Sequence, residues 1–120
     1  MTTAVIESVV STLGALVAGR CYPEGEAPET PAPPFIIWQD TVSTVMNTLS
    51  DGSPIDQMRM QVDCYARTKL DLLTLAGQVR DALESAALDG SINNVCISTQ
   101  GVYEPAVKLQ REIMEFSIWH

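Results

Sequence analysis

The sequence predicts an α+β fold: a mostly antiparallel sheet of four to five strands packed by two α-helices, in the order helix, strand-rich hairpin, helix, hairpin. Three observations lead there. Apolar side chains recur at helical spacing in two separate stretches, near the start and between Thr68 and Leu83. Gln57 to Tyr65 alternates strictly between apolar and polar, the signature of a half-buried strand. Finally, no strand and helix alternate over lengths that would support a parallel, doubly wound sheet.

The first helix is expected from Val5 to Val17, because Ile6, Val9, Val10, Leu13, Leu16 and Val17 share one face. Thr2 or Thr3 is placed to cap it and Gly19 to end it. Five prolines, the first Pro23 and the last Pro34, and Gly25 follow, which favours an extended, partly rigid loop over regular structure. Loops of this length in small domains are often functional. Phe35 to Leu49 is rich in Phe, Ile, Trp, Val and Thr and reads as one long strand, or two joined by a bend. Ser50-Asp51-Gly52-Ser53-Pro54 has turn chemistry, so the alternating strand that follows closes a β-hairpin. Within that strand Met58, Met60, Val62 and Cys64 form the core face, and Gln57, Arg59, Gln61 and Asp63 the other. Trp38 is expected in the core as well.

The second helix carries its apolar stripe through Leu70, Leu73, Ala76 with Gly77, Val79 or Arg80, and Leu83, widened by Leu72 and Leu75, and Asp89-Gly90 closes it. Ile92 to Thr99 and Lys108 to Trp119 read as two more strands around turn-like Gln100-Gly101 and Glu104-Pro105. Met114, Phe116 and Ile118 oppose Leu109 and Ile113 in parity, which a bulge near Glu112 would reconcile.

With 120 residues, the chain has the size of a single domain, expected to run from 1 to 120. Fifteen acidic against seven basic residues leave a formal net charge of −8, which argues against nucleic-acid binding through a basic patch. Glu24, Glu26, Glu29 and Asp40 follow one another with no Lys or Arg between them, marking an anionic face or loop. The N-terminal apolar stretch lacks a basic flank and is interrupted by Glu7 and Ser8, and no segment is long enough to span a membrane. These points lead to the expectation of a soluble protein made in the cytoplasm.

Reactive constellations are hard to assemble from this sequence. The sole histidine, His120, is the last residue given, and Cys21, Cys64 and Cys96 form an odd set without metal-site or disulfide spacing. No glycine pattern makes a phosphate loop. Carboxylates such as Asp63, Asp71, Asp81, Glu84, Glu112 and Glu115 fall on polar faces where solvation accounts for them. The expectation is no catalytic residue, no metal and no cofactor. A small binding domain, or a hydrolase using Cys64 or Cys96, is the competing class, and thiol reactivity separates the two.

Gly19-Arg20-Cys21-Tyr22-Pro23, Pro33-Pro34-Phe35-Ile36-Ile37-Trp38-Gln39 and Met60-Gln61-Val62-Asp63-Cys64-Tyr65-Ala66-Arg67-Thr68 occur in that order and spacing. Together they resemble the tail-completion, or tail-terminator, proteins of long-tailed bacteriophages. The resemblance extends from about Val5 to Trp119; this chain has Cys21 and Cys64 where that family often has Val. It implies a virion protein assembled in the host cytoplasm, in a ring, usually a hexamer, on the head-proximal end of the tail tube. The ring would stop tube growth and join the tail to a head-side connector or stopper, with DNA passing through the lumen without specific binding and no membrane involved. Another neck component, a head-completion or stopper subunit, is the alternative within that class. Interface residues expected on this reading are Pro23, Glu24, Glu26, Glu29, Asp40, Asp51 and Trp119, with the proline loop and the hairpin as contact elements.

Overall fold

The computed structural model describes residues 3–47, 54–85 and 93–119. Its elements are α1 (Thr3–Leu16), β1 (Cys21–Pro23), β2 (Phe35–Asn47), β3 (Pro54–Ala66), α2 (Lys69–Ser85), β4 (Asn93–Glu104) and β5 (Leu109–Trp119). The five strands form one sheet in the order β1-β2-β3-β5-β4, antiparallel except for the β1–β2 pair. Both helices lie on one face, and the fold is α+β as the sequence predicts.

The alternation along β3 explains the layering. Met58, Met60, Val62 and Cys64 are fully buried, facing Ile36 on β2 and Met114, Phe116 and Ile118 on β5. Val9, Leu13 and Val17 from the α1 segment and Leu72, Leu75, Ala76, Val79 and Leu83 from α2 close over them in one continuous core. Trp38 is only half-buried and packs against the margin of this core.

Thr3 is already helical, so it does not cap α1, and Thr2 lies outside the described residues. The helix ends in a left-handed pair, Ala18 at φ 53° and Gly19 at φ 83°, with Gly19 N–H donating to Gly14 O at 2.8 Å. This six-residue closure satisfies a carbonyl the helix leaves open. Thr68 caps α2: its Oγ1 accepts the Asp71 N–H at 3.1 Å.

Several expectations need correction. The sequence marks no strand at Cys21–Pro23, yet these residues form a parallel edge strand, paired Cys21↔Ile36 to Pro23↔Trp38. Proline at its end is tolerated because an edge strand has a side that needs no N–H. Gln100-Gly101 is not a turn: β4 runs through it to Glu104, and the chain reverses after Pro105, with Lys108 at φ 54°. The bulge is not near Glu112; the ladder slips at Asp40/Val42 on β2 and at Cys96/Ser98 on β4. The stripe of α2 is also rotated from the expected one, since Leu70 and Leu73 are 78% and 50% exposed while Leu72 and Leu75 are buried. The expected turns at Ser50–Pro54 and Asp89-Gly90 lie largely or wholly outside the described residues.

The hairpin outruns its sheet. Among the described residues the last β3–β5 pair is Gln57↔Trp119, while β2 and β3 stay paired to Asn47↔Pro54. Three further residue pairs thus project about 10 Å at ~3.4 Å per residue. The shape reflects this arm: the extents are 52 × 23 × 22 Å and the radius of gyration is 15.0 Å, against about 13.6 Å for a compact chain of this length.

Candidate functional site

The face of the sheet away from the helices carries the second set of alternating side chains. At its inner end, Phe35 and Tyr65 are ladder partners, and their rings stack at 4.6 Å with 12° between planes. Arg111 faces Tyr65 across the next ladder and lies 5.6 Å from the ring centre. Its Nη2 donates to Asp63 Oδ2 at 2.6 Å and its Nη1 to Glu104 Oε1 at 2.8 Å. Gln61, two residues from Asp63 and therefore on the same strand face, adds Nε2 bonds of 3.0 and 3.3 Å to the Asp63 carboxylate.

These contacts let an ionised pair exist in a partly dry place. Asp63 is only 3% exposed, and a carboxylate there demands compensating donors. Burial opposes the charge on Arg111, yet its bonds to Glu104 and Asp63 outweigh that and hold the guanidinium above its ordinary value.

Beside the network, a groove of about 810 Å³ opens between the proline loop and the β4–β5 turn. Pro28, Pro31 and Pro33 form one wall and Val107 and Leu109 the other, over Phe35, Ile37 and Tyr65. Arg67, Lys108 and Glu29 stand on it as well.

The expected interface residues do not form one cluster. Pro23 ends β1, and Glu24 prolongs its pairing by donating its N–H to Trp38 O at 2.8 Å. Glu26 N–H bonds Pro23 O at 3.0 Å across a turn whose third residue, Gly25, has φ 86°, a conformation that favours glycine. Glu24, Glu26 and Glu29 are exposed, and only Glu29 reaches the groove. Asp40 is exposed at the β2 bulge. The backbone of Trp119 pairs with Gln57 and Asn93, near the base of the arm; Asp51, the Trp119 side chain and His120 fall outside what is described. The groove residues Tyr65, Arg111, Glu104 and Lys108 were not anticipated. Only the parity of Gln61, Asp63 and Tyr65 on β3 hinted at them.

The three thiols bear on the competing reading. Burial pushes Cys21 up to about 11; burial, with Asp63 and Glu112 nearby, pushes Cys64 up to about 12. Cys96 is also raised, again chiefly by burial. A thiolate nucleophile requires the opposite shift. Among the described residues no group of three or more His, Cys, Asp or Glu is arranged to hold a metal ion, and no helix is long and apolar enough to cross a membrane.

What the surface offers is contact area: a projecting hairpin, an acidic proline loop, a groove and the outer strands β1 and β4 at the sheet's two sides. That is the endowment of a protein that assembles with others. The chain belongs to the family described as tail completion protein gp17, whose model matches residues 6–120. It is accordingly a structural protein of the bacteriophage tail and neck, found in the virion. Its fold is similar to that of a chain in a solved structure described as "Virion of native gene transfer agent (GTA) particle". The TM-score is 0.66 at 15% identity, covering 97% of this chain and 90% of that one. No curated protein matches the sequence.

Proposed function

We propose that residues 1–120 act as one non-catalytic module that forms a ring, a hexamer, at the head-proximal end of the tail tube. The ring ends tube growth on one face and meets the head-side connector or stopper with the other. The observation that carries this reading, beyond family membership, is the arm: a hairpin that outruns the sheet at one end of an elongated body. A ring needs unlike surfaces on each subunit, meeting head to tail with a rotation that closes. Pro23, Glu24, Glu26 and Glu29 at the proline loop, Asp40 on β2, Asp51 in the segment that follows β2 and Trp119 are the residues assigned to these contacts. The acidic balance suits a lumen through which DNA slides without being held.

Electron microscopy of particles made without this protein tests the reading. Full heads apart from unjoined or overlong tails are expected, and normally joined virions would refute it. Native mass spectrometry tests the ring separately: six copies are expected once the tube end is supplied.

A further inference from the structure

The groove beside the Phe35–Tyr65 stack has walls, an apolar floor and a pair of uncommitted cations, and nothing in the virion role just proposed says what fills it. We propose that it receives the hairpin arm, residues 47–57, of a second copy of this chain. This rests on the ring reading and specifies the contact that would build it.

Charge points to the occupant. In a chain with seven basic residues and a net charge of −8, Arg67, Lys108 and Arg111 all line this groove. Arg111 is committed to Asp63 and Glu104. Arg67 and Lys108 are exposed and enter no ion pair among the described residues. The arm segment, Asn47-Thr48-Leu49-Ser50-Asp51-Gly52-Ser53-Pro54-Ile55-Asp56-Gln57, has two carboxylates, no cation, and the apolar Leu49, Pro54 and Ile55. It therefore complements both the rim and the floor. Glu29, also on the rim, works against it.

Topology excludes the arm's own groove. The groove lies where Phe35 meets Tyr65, the arm where Asn47 meets Pro54, at opposite ends of one continuous ladder. A paired hairpin cannot fold back along itself, so the occupant must come from another copy. A contact between unlike ends is heterologous, the kind a closed ring requires. The groove's size suits a chain tip: about 810 Å³ lies within the roughly 300–1,000 Å³ that encloses compact ligands, far short of a docked domain.

Two single-cysteine reporters test this, each built on a chain in which Cys21→Val, Cys64→Val and Cys96→Ser remove the native thiols. A chain with Ser53→Cys, in the segment that joins β2 to β3, is mixed with one carrying Val107→Cys on the groove wall, and intermolecular disulfide formation is timed under mild oxidation. A partner with Ser11→Cys, an exposed position on α1, is the control. The groove partner is expected to cross-link at least tenfold faster than the control. Arg67→Glu with Lys108→Glu in the groove chain removes that advantage, Asp51→Lys with Asp56→Lys in the arm chain restores it, and Glu29→Gln raises it. Equal rates for the Val107 and Ser11 positions, or indifference to the charge reversals, overturn the proposal. Native mass separates the two readings. Closed rings with unselective cross-linking would remove the arm contact and keep the ring; selective cross-linking in open chains of no fixed number would do the reverse.

Discussion

Replacing Arg111 by Met should be the costliest single change on the open face of the sheet. The order of cost among its partners follows from exposure. Arg111 holds Asp63 at 2.6 Å and Glu104 at 2.8 Å, with side chains 4% and 32% exposed respectively. Without the guanidinium, Asp63 is left in a dry site with only Gln61 as donor, and stranding a buried charge costs about 3–5 kcal/mol. Gln61 offsets part of that, so about 3 kcal/mol is expected. Asp63→Asn leaves Arg111 with Glu104 and some water, since a quarter of its side chain is exposed, for about 1–2 kcal/mol. Glu104→Gln breaks a bond that water can replace, at under about 1 kcal/mol. Urea unfolding at neutral pH measures all three; with a slope of ~1.5 kcal/mol per M, the Arg111 variant should unfold about 2 M earlier. An Arg111 variant within 1 kcal/mol of the parent, or Glu104→Gln costing as much, would show that the pair is not supported by burial in the way described.

Three further outcomes are expected. Leu72→Glu, at a fully buried position, should abolish folding, whereas Leu73→Glu, at a half-exposed one, should change stability by no more than about 0.5 kcal/mol; circular dichroism of the pair reads this directly. Ala18→Gly relieves a left-handed residue on an exposed corner and should stabilise by about 0.5–1 kcal/mol in thermal or urea unfolding. Cys64, raised from 9.0 to about 12 by burial first, stays neutral in the folded chain while the unfolded chain ionises. The folded form thus binds the extra proton between those values, so this contribution is complete below pH 9 and is lost as pH rises through 12. At about pH 10.5 the loss should be near 2 kcal/mol. Cys64→Val should flatten the alkaline limb relative to the parent in urea midpoints taken at pH 8 and 10.5.

Local chemistry made much of this molecule legible. The period-two pattern in Met58 to Cys64 has only one consistent burial, so β3 and its core face could be read directly. The tail-completion motifs were visible as short strings in a fixed order. Other features depended on partners distant in the chain. Cys21–Pro23 is a strand only because Ile36 to Trp38 present a free edge beside it, and three residues have no period of their own. Gly101 looks like a turn residue, yet a Cβ there would lie 2.8 Å from Lys69 Nζ and 3.2 Å from Glu112 Oε2. The space beside it is taken by the ends of two flexible side chains, Lys69 of α2 and Glu112 of β5. Bulges at Asp40 and Cys96 likewise arise from the relative register of two strands, which neither strand encodes alone.

By itself, then, the sequence determined the α+β class, the two helices, the core face of β3, the acidic balance and the absence of a phosphate loop or metal-ligand spacing. Each is set by periodicity, composition or covalent backbone preference, and these act over a few neighbouring residues. Tertiary structure alone decided which side of α2 is buried. Its five leucines, with Ala76 and Val79, admit two overlapping stripes, and only packing against β3 and β5 selects Leu72 and Leu75 over Leu70 and Leu73. It also decided that Asp63, Glu104 and Arg111, separated by up to 48 residues, meet beside a groove. Such a site is made by strand register, and register is a property of the folded sheet.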